Sequence, residues 1–433
     1  MSKNRTSWSM TLVLCVAAVL CAGGCLVLAQ DSLLFYTWAR PEEMDDYKPI
    51  FDKFEAETGL KVEVQGFAGR VSEYKDAILV HFLAGTGPDV IAVSTLWFEE
   101  LQAQGVFLDL TDYLAASGYS TGDIFPTSLQ AWQDRSGRQF ALPFDNDIAV
   151  LLYNNELFAR YGVTPPNDGW TWDDWYLAGL RLTMDTDGDE LNDVFGMMTN
   201  WWTSWYSLIW ANGGTIFTPD RRPNVRAQEV IEALEWYAQW FPAGRNLQVN
   251  AGSQVQHLGV SSPHLAFANG HIAMMPAGVW AIDYTARGPE GWRFEFGAAP
   301  LPMSPAGGRA TAIEGQGQAV SVHARNKDAA YRFVELMATE GQAILARRGQ
   351  FPVTRSDALS DAFLGDWDPK YKAVAIEATS YARPLPQGVM WPVTKSHFEG
   401  VFAYFNGTQP LAQVLEDIER QMLATLTELG ILP

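Results

Sequence analysis

The sequence predicts an α/β protein built from open sheets that are flanked by helices and arranged in two lobes. Predicted helices and strands alternate from residue 33 onward, which is typical of α/β folds. The strand candidates are continuous apolar runs, as expected of strands covered on both faces. The chain has 433 residues, of which 48% are hydrophobic, and this length is sufficient for two separate cores.

The N-terminal segment predicts export. A basic start leads into the apolar run Met10–Leu20, which is too short for a comfortable membrane span. We interpret residues 1–29 as a secretory signal peptide. The small residues Ala22–Gly24 resemble a lipoprotein signal, in which cleavage before Cys25 leaves a lipid on that cysteine, whereas Val27–Ala29 offers an ordinary cleavage site. We expect an extracytoplasmic protein that touches the membrane only through such an anchor.

Composition argues against several classes of function. The formal net charge of −20 and the pI near 4.7 disfavour nucleic acid, which requires a basic surface, and anionic lipid. The cysteines all lie in the N-terminal segment, so the mature chain has no disulfide and no thiol chemistry: Cys15, Cys21 and Cys25. The chain also contains 17 Trp, 15 Tyr and 23 Phe, and flat aromatic faces are suited to pack against sugar rings.

The first part of the chain predicts a repeat of strand and helix. Its elements are strand Leu33–Trp38, helix Glu42–Thr58, strand Leu60–Gln65, helix Ser72–Ala84 and strand Asp89–Val93. In open α/β sheets, ligands bind beyond the carboxyl ends of the strands. Trp38, Arg40, Ser94 and Thr95 follow two of these strands, so they are candidates for a binding site.

The stretch Leu142–Gly162 joins three elements without a gap. The polar residues Asp145–Asp147 precede the apolar run Ile148–Tyr153, which predicts a buried strand. A short helix, Glu156–Tyr161, follows two capping asparagines. Polar groups are costly to bury without hydrogen bonds, so the polar residues lie either on an exposed turn or in a wet cleft.

The second half continues the alternation of helix and strand. Its predicted elements are the tryptophan-rich helix within Asn200–Phe217, helix Val230–Phe241, a turn and strand at Phe267–Met275, helix Lys327–Thr339 and a helical remainder, Trp367–Leu432.

An aspartate-rich turn suggests a structural calcium ion. Alternating carboxylates with calcium-loop spacing occur at Asp185, Asp187, Asp189 and Asp193. The turn departs from the EF-hand pattern, because Glu190 replaces the usual glycine and Gly196 occupies the place of the bidentate glutamate. A solvated acidic turn is the alternative, and both interpretations stay open. We expect no other cofactor.

An ordered set of segments resembles one family. F-E-A-E-T-G-L-K-V-E at residues 54–63, A-G-T-G-P-D-V-I at residues 84–91 and the stretch Leu142–Gly162 resemble the extracellular solute-binding proteins of bacterial ABC importers. The matching branch includes the maltose- and glycerol-phosphate-binding proteins. The resemblance implies a two-lobe periplasmic-binding-protein-like fold (type II) with a hinge between the lobes. It assigns residues 30–147 plus 314–360 to an N-terminal lobe and residues 148–313 plus 361–433 to a C-terminal lobe.

The resemblance also implies a ligand site between the lobes. Asp147 matches the acidic residue of the first crossing, Glu314 and Gln316 lie on the second, and Trp280 matches an aromatic that stacks on the solute. With the strand-end candidates, the expected ligand-binding residues are Trp38, Arg40, Ser94, Thr95, Asp145, Asp147, Trp201, Trp202, Trp280, Glu314, Gln316 and Arg355.

The resemblance implies capture of a small sugar and its delivery to the transmembrane subunits of an ABC permease by a monomer without enzyme activity. Abundant tryptophan favours a di- or oligosaccharide, while a polyol or a phosphodiester held by Arg40, Arg355 or Arg383 stays open. The alternatives are an exported carbohydrate-active hydrolase that uses Asp145, Asp147 or Glu314 in pairs, and a sugar sensor or adhesin lobe. The loops Arg383–Pro384 and Met390–Pro392 are candidates to reach the cleft, but the sequence assigns them no role.

Overall fold

The computed structural model describes residues 32–39, 41–67, 71–134, 136–198, 201–241, 248–249, 258–260, 263–279, 281, 294–364, 369–386, 388 and 390–432. The predicted signal peptide lies outside these ranges, as do Arg40 and Trp280. Among the described residues, no helix has the length and apolar character needed to cross a membrane.

The strands are β1 (Ser32–Thr37), β2 (Lys61–Gly66), β3 (Val90–Ser94), β4 (Leu142–Pro143), β5 (Asp145–Asn154), β6 (Met197–Met198), β7 (Gln248–Val249), β8 (Met274–Gly278), β9 (Phe296–Ala299), β10 (Thr311–Glu314), β11 (Gln316–Val320), β12 (Phe351–Pro352) and β13 (Ala382–Pro384).

The helices are α1 (Pro41–Asp45), α2 (Lys48–Thr58), α3 (Val71–Leu83), α4 (Thr95–Ala103), α5 (Thr111–Ser117), α6 (Pro126–Gln130), α7 (Asn155–Arg160), α8 (Trp172–Arg181), α9 (Trp201–Ala211), α10 (Gln228–Ala238), α11 (Pro263–Ala268), α12 (Lys327–Ala338), α13 (Glu340–Arg347), α14 (Arg355–Ala358), α15 (Asp361–Leu364), α16 (Pro369–Ala378), α17 (Met390–Phe398), α18 (Phe402–Phe405) and α19 (Leu411–Glu428).

The first sheet has the strand order β2-β1-β3-β11-β4. β1 pairs in parallel with β2 and β3, and β11 is antiparallel to β3 and β4. Helices cover both faces: Phe54 of α2 and Phe35 of β1 each pack against Phe333 of α12, and Phe98 of α4 lies in the cluster on the other face. We call this sheet with α1–α6 and α12 the first body.

The second sheet has the order β12-β5-β10-β13, and β8 and β9 also pair with β5. Its long strand β5 is buried from Ile148 to Leu152, in agreement with the apolar run in the sequence. A cluster rich in tryptophan packs beside it, with the rings of Trp172 and Trp236 centred 4.7 Å apart. We call this sheet with α7–α11 and α16–α19 the second body.

The chain passes twice between the two sheets, and the two passages lie side by side. β4 belongs to the first sheet, and β5 follows in the second after Phe144 alone. On the return, β10 pairs with β5 and β11 pairs with β3, and only Gly315 separates them. In register, Glu314 lies opposite Asp147, and Gln316 lies opposite Ser94. We call this feature the double crossing.

The predicted α/β class with open sheets flanked by helices is confirmed, with local corrections. The strand predicted at Ile148–Tyr153 begins at Asp145, because β12 and β10 supply ladder partners for the polar residues. The helix predicted at Glu42–Thr58 is two helices, α1 and α2. The lobe boundaries stay a prediction, and the packing of Phe351 and Ala358 in a second-body cluster favours a boundary nearer residue 350.

Candidate functional site

Three carboxylates share one face of the double crossing. Side chains alternate between the two faces of a strand, so Asp145 and Asp147 of β5 point to the same side. Glu314 of β10 lies directly opposite Asp147 in the antiparallel ladder and therefore joins them. The site thus collects negative charge where the two bodies meet, an arrangement that requires hydrogen-bond donors or protons to stabilise it.

The backbone of the double crossing is tied to the first body. Asp145 accepts a hydrogen bond from the Gln316 N–H, with 2.6 Å between Oδ1 and N. Thr95, the first residue of α4, accepts one from the Gly315 N–H at 3.3 Å and donates its own N–H to the Gly315 carbonyl at 3.1 Å. Gly315 lies so close to β5 that an added Cβ would be 2.4 Å from the Asp145 carbonyl oxygen.

Burial perturbs two of the three carboxyl groups. It raises the pKa of Asp145 to about 7 against an opposing hydrogen bond from Gln316, and it raises the pKa of Glu314 to about 8 with help from the Asp145 charge. The Oε2 atom of Glu314 is buried and has no hydrogen-bond partner among the described residues. The pair is therefore poised to hold a proton near neutral pH.

Asp145 and Glu314 line a small cavity, which we call the crossing cavity. Its lining residues are Thr95, Thr127, Ser128, Ala131, Trp132, Asp145, Asn146, Ile313, Glu314, Gly315 and Pro384. Its volume of about 20 Å³ accommodates a water molecule but no sugar ring. Asn146 has a structural role here, because it accepts a hydrogen bond from Ser128 and donates one to the Pro352 carbonyl.

A second, larger space lies between the two bodies along the outer side of α4, and we call it the flank groove. Its volume is about 1080 Å³, and it is lined by Phe98, Glu99, Glu100, Gln102, Ala103, Gln104, Gln133, Asp134, Ser136, Arg138, Arg221, Met390 and Ile431. None of the predicted ligand residues lines it. Phe98, its one aromatic lining residue, is buried, so the groove offers no exposed ring for a sugar.

The aspartate-rich turn brings three carboxylates together. Asp185, Asp187 and Asp193 each offer one oxygen, and these oxygens lie within 4.8 Å of one another. Asp189 does not join this group, and all four carboxylates accept hydrogen bonds from N–H groups of the turn. Glu190 adopts a positive φ of 71°, which the expected glycine would adopt more easily. Calcium binding at this turn stays a prediction.

A family comparison gives this geometry its context. The model of the bacterial extracellular solute-binding protein family matches residues 39–344, which include both passages of the double crossing. The chain belongs to this family. The assignment places it outside the cytoplasm, and the members of the family are binding proteins.

Solved structures of solute-binding proteins share the fold. Lmo0181 of Listeria monocytogenes, in complex with cycloalternan, has a TM-score of 0.79 at 22% identity and covers 92% of this chain and 99% of its own. MalE3 of T. maritima with maltose has a TM-score of 0.75 at 18% identity over 91% and 100%. UgpB of Mycobacterium tuberculosis with glycerophosphocholine has a TM-score of 0.75 at 19% identity over 92% and 98%. The two-lobe architecture expected from the sequence is therefore confirmed.

The first-body candidates of this solute-binding protein have local partners. Trp38 is half-buried, and its ring contacts Tyr74 and Trp97 edge-on at centroid distances of 5.5 and 5.9 Å. Ser94 caps α4, because its side chain accepts a hydrogen bond from the Leu96 N–H. Thr95 is buried at the crossing cavity.

Arg355 and Gln316 lie in different surroundings. Arg355 donates to the Gly122 carbonyl at 3.2 Å, and its guanidinium lies over the Phe125 ring. These contacts tie Arg355 to the loop before α6, and it does not line the crossing cavity. Gln316 is half-buried and contributes its backbone N–H to Asp145.

The aromatic candidates of the second body are described only in part. Trp201 and Trp202 begin α9, but their side chains lie outside the described residues, as does the whole of Trp280. The two loops without a predicted role differ in burial. Trp391 is buried and stacks on Tyr206, whereas Arg383 is exposed in β13. Trp391 is therefore a core residue.

Pro384, from the loop whose role the sequence left open, lines the crossing cavity. Sequence reasoning missed Ser128, which lines the same cavity. It also missed Glu99 and Arg221, which pair across the two bodies. No motif surrounds these residues, because their proximity depends on how the bodies pack.

Proposed function

We propose that this chain captures a carbohydrate, either a di- or an oligosaccharide, between its lobes and delivers it to the permease of an ABC importer. The observation that carries the proposal is the double crossing, with Asp145, Asp147 and Glu314 on one face where the two bodies meet. Cycloalternan and maltose, the solutes of two structural relatives, support a carbohydrate as the ligand.

Carboxylates and indole rings together suit a sugar. A carboxylate such as Asp147 accepts hydroxyl hydrogens in charge-assisted bonds, which are stronger than neutral ones. Trp38, and with it Trp201, Trp202 and Trp280, would cover the apolar faces of the sugar rings. Because contacts come from both lobes, only a closed form satisfies them all, so the ligand would favour hinge closure.

We extend the proposal to the export of the protein, its membrane anchor and its permease partner. The signal within residues 1–29 would direct export, and cleavage before Cys25 would leave a lipid on that cysteine to hold the protein at the membrane. The closed, liganded monomer would be the form that the transmembrane permease subunits recognise.

Two alternative functions, a hydrolase and a sensor or adhesin lobe, would use the same fold but would treat the bound sugar differently. A hydrolase requires two carboxylates flanking a glycosidic bond, about 5–10 Å apart, with a sugar between them. The members of the family to which the chain belongs are binding proteins, which favours binding over hydrolysis. A sensor or adhesin lobe would bind sugar without transport, and permease genes beside this gene would favour the importer.

The test is a thermal-shift screen against mono-, di- and oligosaccharides, glycerol 3-phosphate and glycerophosphocholine. A ligand that binds only the folded state raises the melting temperature. We expect the largest shift with a di- or oligosaccharide and no release of reducing sugar from it. A shift with a phosphodiester alone would replace the carbohydrate by that class, and turnover of a glycoside would contradict the binding role.

Asp147→Asn should weaken binding of the best sugar by about 10- to 100-fold, because loss of a hydrogen bond to a charged group costs about 1.5–3 kcal/mol. Isothermal titration calorimetry checks this. The control is Asp173→Asn, which changes an exposed aspartate at the start of α8. Equal affinities of the two variants would remove Asp147 from the site.

Calcium at the aspartate-rich turn is the last part of the proposal. At a dissociation constant of about 0.1–1 mM, typical of extracellular sites, 10 mM Ca²⁺ would add about 1.4–2.7 kcal/mol to the stability. We expect Ca²⁺ but not Mg²⁺ to raise the melting temperature, and Asp187→Asn to abolish the rise. An identical response of the wild type and Asp187→Asn would exclude this site.

A further inference from the structure

Glu99 of the first body is held by two groups of the second body. The Arg221 Nη2 atom donates a hydrogen bond to Glu99 Oε1 at 3.1 Å. On the other side of the same carboxylate lies Gly388, where an added Cβ would be 2.5 Å from Oε2. The carboxylate is therefore seated between a guanidinium and a backbone that approaches as closely as glycine permits.

Each partner is anchored in the second body. Arg221 lies in a turn between Ile216 and Val225, and both of these side chains are buried in the tryptophan-rich cluster. Gly388 lies two residues before α17 begins at Met390, which belongs to the same cluster. Both partners are therefore carried by segments of the second body.

The start of α4 is an interface between the bodies. Leu96, three residues before Glu99 and therefore on the same side of the helix, packs against a core cluster of each body. Thr95 binds the Gly315 backbone, so the helix begins at the double crossing. Glu99 lies one turn farther from that pivot, where a rotation of the bodies produces a larger displacement.

The turn that carries Arg221 has an unusual backbone conformation. Arg221 has a positive φ of 66°, a conformation that non-glycine residues rarely adopt. Two backbone hydrogen bonds between Thr218 and residues 221 and 222 close the turn. Strained backbone that persists in a fold often supports a functional contact.

We infer that the Glu99–Arg221 pair is an interlobe latch that sets the solute affinity without contacting the solute. The inference rests on the proposed function, because the latch matters only if closure accompanies capture. Rotation about the double crossing separates α4 from the Arg221 turn, so the open form loses the pair and the closed form keeps it. A solute that requires the closed form then binds more tightly by the factor that the pair contributes to closure.

The expected change in sugar affinity is small because the side chains of the pair are partly exposed. The side chains of Arg221 and Glu99 are 29% and 34% exposed, so water and salt screen the pair partly. Pairs of this kind change an equilibrium by about two- to fivefold. The effect should shrink as the salt concentration rises.

The chain offers a matched control on the same helix. Glu100 pairs with Lys75 of α3 at 2.7 Å, with side-chain exposures of 25% and 28%. Both residues belong to the first body, so this pair is insensitive to rotation of the bodies. Glu100→Gln therefore removes a similar ion pair without affecting the latch.

The experiment compares Glu99→Gln, Arg221→Gln, the double variant E99Q/R221Q and the Glu100→Gln control in the exported chain. Small-angle X-ray scattering measures the ligand-free radius of gyration, and calorimetry measures the affinity for the best sugar of the screen. We expect each single latch variant to weaken binding about two- to fivefold at low salt, and the double variant to weaken it no further than either single variant. The radius should increase in each single latch variant, and Glu100→Gln should behave as wild type.

The latch would be overturned if Glu99→Gln and Glu100→Gln had the same sugar affinity and the same radius of gyration. Losses that add up in the double variant would also overturn it, since a pairwise role requires coupling between the two residues. If no sugar binds, the proposed function fails, and the radius alone then decides: expansion in both single variants supports the latch, and an unchanged radius overturns it.

Discussion

Gly315→Ala should lower the free energy of unfolding by about 3 kcal/mol, the upper part of the usual cost of overpacking a tight site. An alanine Cβ would lie 2.4 Å from the Asp145 carbonyl oxygen, far inside contact distance. The obstacle is backbone, which cannot rotate away, and the backbone of Gly315 is fixed by two hydrogen bonds to Thr95. Urea unfolding monitored by tryptophan fluorescence measures the change.

The matched control for this substitution is Gly122→Ala. An added Cβ there meets only Ser120 Oγ at 3.9 Å, an ordinary contact, and the φ of Gly122 is not in the left-handed region. We expect a change within about 0.5 kcal/mol at this site. Equal stability of the two variants would show that the two passages between the sheets are not packed as described.

Raising the pH from 5 to 8 should destabilise the ligand-free protein, and Glu314→Gln should reduce that loss by on the order of 2–3 kcal/mol, since one pKa unit corresponds to about 1.4 kcal/mol. Burial raises the pKa of Asp145 to about 7 and of Glu314 to about 8 in the folded state. In the unfolded chain both groups return to about 4. Between these values the folded state binds more protons, so stability falls as the pH rises.

Urea unfolding at pH 5, 6.5 and 8 tests this for wild type, Glu314→Gln and an exposed control, Glu416→Gln. The large negative charge of the chain produces its own pH dependence, which the control retains. The difference between the Glu314 variant and the control isolates the buried pair. Parallel stability curves for the two variants would contradict a carboxyl pair buried at the double crossing.

Much of the fold could be predicted from the sequence because local residue patterns indicate its strands and helices. Apolar runs such as Ile148–Tyr153 and the cap at Gly59 predict strands and helix ends from neighbouring residues alone. The first residues of β5 were missed for a physical reason. Their ladder partners Phe351, Pro352 and Glu314 are distant in sequence, and polar side chains carry no strand pattern.

The candidate site was accessible only in part. The resemblance placed Asp147 and Glu314 on the two crossings, and the structure pairs them in register. The crossing cavity itself depends on Ser128, which packs there through its bond to Asn146, a contact that no local pattern encodes. The same holds for Glu99 and Arg221, since their pairing requires two bodies that fold on different segments.

The proposed site between the lobes is tested by a crystal structure of the chain with the best-binding sugar. We predict one sugar held between the two sheets, with a carboxylate oxygen of Asp147 within hydrogen-bond distance of a hydroxyl and an indole ring against a pyranose face. A sugar bound in the flank groove, or on one body alone and away from the double crossing, would contradict it.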